Sequence, residues 1–212
     1  MFVLGGEEKG KYLGQVFSYN FLSLNFSACS PMNEAKINFG AIYFKESVFV
    51  VGGWINSYTK RCEMYSIDSD KWVDIPSLKI EREGITLCVV QDRYIYAFGN
   101  VTTRGKRFKQ VGEVGGHNLS KHNSLMHPSQ NEKYMEYNFE RLDIESLLNH
   151  YKSTGSCSDD SVPESLQWEL VSVTSTFNIT NMSSEKIPTF KNMGCFNHYK
   201  NKNQVIIFGG VV

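Results

Sequence analysis

The sequence predicts an all-β fold assembled from repeated four-stranded antiparallel units, and three observations carry that prediction. Four hydrophobic runs each lead into glycine: MFVLGGEE at Gly5 and Gly6, VFVVGGW at Gly52 and Gly53, YIYAFGN at Gly99, and VIIFGGV at Gly209 and Gly210. The leading glycines are spaced by 47, 47 and 110 residues, and an equal interval of this size is the period of a propeller blade. Aromatic residues make up 13% of the chain, many among β-branched neighbours, which suits a pleated, half-buried surface.

The elements then follow in a fixed order within each unit. The first unit, about 1–34, opens on its glycine-ended strand and continues with a strand holding Tyr19 and one holding Phe26, with six residues between them. The second, about 35–81, has a first strand from Ala35, a buried strand ending at Gly52-Gly53 and a strand holding Tyr65. A polar turn at Asp68-Ser69-Asp70 follows, and then a strand beginning at Trp72, again six residues beyond the tyrosine. The third, about 82–191, starts at Arg82, places Gly99 at the strand end, Leu142 in the tyrosine place and Trp168 in the tryptophan place. A partial unit, 192–212, starts at Asn192 and reaches Gly209-Gly210. Ala35, Arg82 and Asn192 each precede their glycine by 17 residues. Two segments break the pattern, residues 101–133 and the Ser-rich 146–166, and both are expected to be expanded, partly disordered surface loops of the third unit. No stretch reads as a long amphipathic helix.

These positions resemble kelch repeats, a family with a Gly-Gly after a hydrophobic strand, then a Tyr, six residues and a Trp. Gly52, Gly53, Tyr65 and Trp72 match fully. Gly5, Gly6 and Tyr19 match with Phe26 in place of Trp. Gly99 and Trp168 match with Asn100 and Leu142 as departures, and Gly209-Gly210 opens a further copy. The resemblance implies a β-propeller in which glycine permits close backbone approach and the aromatic rings fill the gap between blades. Roughly thirteen strands make only about three blades, whereas propellers close with about four to eight. The expectation is therefore a segment of a larger propeller or an open fan, with association through its open blade edges. In function the resemblance implies a non-catalytic protein–protein interaction scaffold, with the third unit's long loops contacting the partner. Family members join such propellers to BTB or F-box modules, which implies substrate recognition within a larger adaptor. The alternative is an enzyme or small-ligand-binding propeller whose site is completed by missing blades.

Composition narrows the rest. A formal net charge of +0 gives no global field toward nucleic acid or an anionic membrane. No apolar run approaches the length of a membrane helix, and the N-terminus lacks the basic start of a secretory signal. The five cysteines (Cys29, Cys62, Cys88, Cys157, Cys195) are odd in number and scattered, which speaks against a disulfide framework and for a reducing, cytoplasmic setting. Neither Gly-Gly motif has the spacing of a dinucleotide or P-loop site, and Glu7-Glu8 would repel phosphate. His117, His122 and His127, spaced by five, fit neither one helix face nor one strand face, so they read as loop residues rather than metal ligands. The basic stretch with Arg104, Lys106, Arg107 and Lys109 reads as a solvated loop. No catalytic, cofactor or metal residue is assigned, and the expected partner is a protein.

Overall fold

The computed structural model describes the backbone of residues 1–101, 132–178, 189–198 and 201–211, and the side chains of residues 1–99 and 139–171. The first sheet joins β1 (Phe2–Leu4), β4 (Val16–Asn20) and β5 (Asn25–Cys29); a small hairpin of β2 (Glu7–Glu8) and β3 (Lys11–Tyr12) stands between β1 and β4. The second sheet runs in order β6 (Gly40–Phe44), β7 (Ser47–Val51), β8 (Cys62–Ser66), β9 (Lys71–Ile75). The third runs β10 (Arg82–Val90), β11 (Tyr94–Val101), β12 (Glu132–Asp143), β13 (Glu169–Asn178), and the last pairs β14 (Thr189–His198) with β15 (Asn201–Val211). Every pairing is antiparallel. The chain is thus a row of antiparallel sheets of the kind that form propeller blades, and β10 lies against both β6 and β14.

The repeat visible in the sequence is also a repeat of register. Val50, Glu63 and Asp74 face one another across the second sheet; Ala97, Glu140 and Leu170 do so in the third, and Val3, Phe17 and Ala28 in the first. The next row holds Val48, Tyr65 and Trp72 in the second sheet, and Tyr19 pairs with Phe26 in the first. In the third, Ile95 pairs with Leu142, and Trp168 immediately precedes β13.

Alternation of side chains along each strand gives every blade two faces. Val48, Val50, Tyr65 and Trp72 pack toward the first sheet with Val16 and Met32. Phe49, Val51, Met64 and Ile75 turn the other way, into a larger core with Ile95, Leu142 and Trp168. Both tryptophans also bond to the preceding blade: Trp72 Nε1 donates to the Ser30 carbonyl at 2.7 Å and Trp168 Nε1 to the Pro76 carbonyl at 2.8 Å. A buried ion pair repeats with the same logic. Lys36 and Glu63 lie 2.8 Å apart, Arg82 and Glu140 2.9 Å apart, and all four side chains are at most 2% exposed. Each glutamate also accepts backbone N–H groups of the incoming linker, from Asn33 for Glu63 and from Lys79 and Ile80 for Glu140. A buried carboxylate is costly unless paired and hydrogen-bonded: both oxygens of Glu140 accept hydrogen bonds, whereas Glu63 Oε2 accepts one and its Oε1 has the Lys36 ion pair without a hydrogen bond.

Four expectations are corrected. Residues 146–166 are not a partly disordered loop: helix α1 (Ile144–Thr154) runs through them, followed by a 3-10 turn at Glu164–Leu166. Ile144, Leu147, Leu148 and Cys157 are buried in the main core, so apolar burial orders a segment whose serine content suggested coil. Ala35 does not start a strand; β6 begins at Gly40, because Lys36 is drawn inward to Glu63 and Ile37 bridges Trp54. β11 continues past Gly99, since Asn100 and Val101 pair with Glu83 and Arg82. Gly209 and Gly210 lie within β15 rather than at its end, where pairing of Met193 with Gly209 and Thr189 with Val211 keeps the backbone bonded.

Candidate interaction surface

The connections between second and third strands emerge at one end of the blades. In the second blade this connection opens with Gly52 (φ +57°) and Gly53 (φ +110°). A Cβ on Gly52 would stand 2.9 Å from the Arg82 carbonyl, and one on Gly53 2.7 Å from the Ile37 carbonyl. Glycine is required twice over, by the left-handed backbone and by the close approach. The tight turn delivers Trp54 onto the end of the blade, where its backbone exchanges hydrogen bonds with Ile37. Its indole N–H donates to the Tyr12 hydroxyl at 3.1 Å, and its ring meets Tyr58 edge-on at 5.3 Å. Burial and then the neighbouring Glu83 carboxylate raise the Tyr58 hydroxyl above the ordinary tyrosine range. Tyr12, Trp54 and Tyr58 are all half-buried. The result is an aromatic row that starts on the hairpin of the first blade, crosses the second and ends beside the third. Strands β11 and β12, which flank residues 102–131, run to this same end.

The opposite end carries the short turns and α1. Asp143 caps the helix by accepting the Ser146 N–H at 3.1 Å, while Arg93 holds the same carboxylate at 2.6 Å. Gly155 closes the helix in the left-handed conformation. Lys45 of the β6–β7 turn pairs with Glu145 at 2.9 Å. Between these turns and α1 lies an open cavity of about 310 Å³ lined by Lys45, Ser66, Asp68, Asn149 and Lys152. Its charges are mixed in sign, with no convergent set of polar groups to orient a substrate.

The residues singled out from the sequence divide by depth. Tyr65, Trp72, Leu142 and Trp168 are buried between blades, whereas Phe26 is 62% exposed on the outer face of the first. Tyr65 stacks at a tilt on Trp72 and donates to Asp70 at 2.6 Å; Tyr19 meets Phe26 in the same way. Gly5 and Gly6 hold the turn after β1 with positive φ. Sequence reasoning missed Lys36, Glu63, Arg82 and Glu140. A signal was present: each glutamate stands two residues before the tyrosine position, at Tyr65 and at Leu142. His117, His122, His127 and the basic stretch lie outside the described residues, as do the side chains of the residues around Gly209 and Gly210. Among the described residues no group of three His, Cys, Asp or Glu side chains is placed to hold a metal, and no helix is long and apolar enough to cross a membrane.

Comparison with known proteins agrees with this geometry. The kelch motif family matches residues 36–79, the linker and strands that form the second blade. The chain is 30% identical over 105 residues to Kelch-like protein 40 of Xenopus laevis and 33% identical over 96 residues to Kelch repeat protein M-T8 of Myxoma virus (strain Lausanne). It is 26% identical over 91 residues to Kelch repeat and BTB domain-containing protein 2 of Cowpox virus (strain GRI-90 / Grishak). These matches cover 49%, 42% and 42% of this chain but only 17%, 18% and 16% of the respective relatives.

Proposed function

We propose that the chain is a non-catalytic protein-interaction scaffold built of kelch repeats, whose recognition face carries Tyr12, Trp54 and Tyr58. The observation behind this reading is the half-exposed aromatic row fixed across blade boundaries. Large rings with a polar edge, held rigid before the partner arrives, are the residues that dominate protein interfaces. Rigid blades that present variable connections are the usual arrangement for recognition. We extend the reading to a substrate-recognition part of a larger adaptor, a role suggested by the BTB domain that the cowpox relative's name records. The buried thiols of Cys62 and Cys157, both pushed up to about 12 by burial, suit a reducing cytoplasmic setting.

Quantitative affinity capture with the wild type, Tyr58→Ala, Trp54→Ala and Lys152→Glu tests the assignment. Loss of the same captured proteins in the two aromatic variants, with Lys152→Glu unchanged and melting temperatures close to wild type, is the expected result. Full capture by both aromatic variants would sink the proposal. The segment 146–166, expected from the sequence to be removable with the fold intact, is instead part of the core, so its deletion is not a clean probe of binding.

A further inference from the structure

We propose that the row of Tyr12, Trp54 and Tyr58 recognises an arginine side chain of the protein partner, whose guanidinium lies on the rings and ends on the Glu83 carboxylate. This rests on the reading of the row as the recognition face and adds the chemistry that the row selects. Register places the groups. In the hairpin of the first blade Glu7 pairs with Tyr12, and residues directly opposite on antiparallel strands project from the same face. Trp54 and Tyr58 oppose each other in an antiparallel bridge, and the bridge between Thr59 and Arg82 brings Tyr58 opposite Glu83. The Tyr12 hydroxyl joins the two groups by accepting the Trp54 indole N–H at 3.1 Å. The order along this end of the blades is therefore carboxylate, three rings, carboxylate.

Within the row the polar edges are already used. The Trp54 N–H is given to Tyr12, and the Tyr58 hydroxyl faces Glu83. What Trp54 and Tyr58 still present is ring surface, with the planes at 73° and the centroids 5.3 Å apart. A ring face carries the negative part of its quadrupole, so it attracts a cation. The carboxylates at the two ends add the same preference. Glu83 is half-buried, and neither it nor Glu7 forms an ion pair with another described residue. Carboxylates without a counter-charge beside aromatic faces are complementary to a cationic ligand. Of the cationic side chains, arginine fits both features at once. Its planar guanidinium stacks on a ring while its N–H fork donates to a carboxylate, whereas an ammonium is a compact, strongly hydrated charge.

Random heptapeptides displayed on phage and selected on the 212-residue chain read the preference directly. Arginine is expected to be enriched several-fold over its frequency in the unselected library, and the enrichment should vanish on Glu83→Gln. Glu83→Gln keeps the shape of the side chain and removes its charge, so its melting by circular dichroism should match the wild type. In the strongest peptide, replacing arginine by the neutral isostere citrulline should weaken binding about tenfold or more by calorimetry, the scale of one hydrogen bond to a charged group. Undiminished binding of the citrulline peptide, or undiminished binding by Glu83→Gln, would overturn the proposal. Equal binding with lysine in place of arginine would overturn the assignment to a guanidinium, and a selection that yields no binding peptide would overturn it as well. Peptides lost on Tyr58→Ala but carrying no arginine enrichment would overturn this inference and leave the recognition face standing. Peptides bound equally by wild type, Trp54→Ala and Tyr58→Ala would overturn the recognition face itself, and this inference with it.

Discussion

Truncating the repeat aromatics one blade at a time should produce losses graded by blade. Trp168 is 1% exposed, and its indole N–H donates to the Pro76 carbonyl at 2.8 Å. Trp168→Ala removes the whole ring from the main core, a change that costs about 3–5 kcal/mol. It also leaves a buried carbonyl without its donor, which adds about 1–3 kcal/mol if water cannot reach it. For a chain of this length each kcal/mol lowers the melting temperature by about 2–4 °C, so the expected drop is on the order of 10 °C or more. Trp168→Phe separates the two parts: the ring volume is largely kept, and the loss should fall to the hydrogen-bond contribution of about 1–3 kcal/mol. Trp72, 8% exposed with the same bond to Ser30, should behave like Trp168. Phe26 occupies the same repeat position but is 62% exposed, so Phe26→Ala should cost no more than about 0.5 kcal/mol. The assay is thermal unfolding by circular dichroism at concentrations where the chain is monomeric. Equal losses for Phe26→Ala and Trp168→Ala would refute the reasoning, because they would mean that the position and not its covering blade sets the energy.

Two further outcomes are expected. Glu140→Ala removes the carboxylate that pairs with the buried guanidinium of Arg82 and unties the Lys79 and Ile80 N–H groups, so equilibrium denaturation should show a loss of about 3–5 kcal/mol, the range for breaking one side of a buried ion pair. The second concerns acid. Burial alone would raise the Asp143 carboxyl, but hydrogen bonds from Arg93 and Ser146 outweigh it and hold the group below the ordinary range. A depressed folded-state value stabilises the fold above the unfolded value of about 3.9, and that stabilisation is lost as pH falls through the folded value. The acid limb of melting temperature against pH should therefore be shallower in Asp143→Asn than in the wild type.

The blade repeat was legible in the sequence because glycine and large aromatics are the residues that geometry constrains most. Gly52 and Gly53 need a backbone open only to glycine, and Tyr65 and Trp72 must fill one inter-blade gap, so both leave a mark at a fixed interval. The buried ion pairs were not read, although they repeat, because a lone Lys36 or Glu63 in a sequence looks like any surface charge. Only the register shows both partners arriving at one buried point. Helix α1 was missed for a different reason. Its apolar side is narrow, with Leu147 and Leu148 adjacent and Ile144 a turn earlier, and its flanks are serine-rich, so local composition outvoted a short hydrophobic stripe. Tertiary burial decided the matter, as it does for most short helices. The aromatic row on the proposed interaction face was invisible for a third reason: Tyr12 and Trp54 belong to different units, and nothing in either unit alone records their meeting.

That last point bears on how recognition and stability are linked in this fold. Tyr12 is held by the first blade, Trp54 and Tyr58 by the second, and the Glu83 carboxylate that Tyr58 faces by the third. Their spacing is set by the joints between blades, not by any one connection. The joint of the first and second blades rests on Trp72 bonding to Ser30 and Glu63 bonding to Asn33, and that of the second and third on Trp168 bonding to Pro76 and Glu140 bonding to Lys79 and Ile80. These clips lie in the interior, where packed contacts allow little continuous deformation. A displacement at a clip is therefore passed to the aromatic row as a change in the distance between Tyr12 and Trp54. Buried charge that contributes little net stability has a clear use in such an arrangement, since it fixes the relative position of neighbouring blades and with it the geometry that a partner meets.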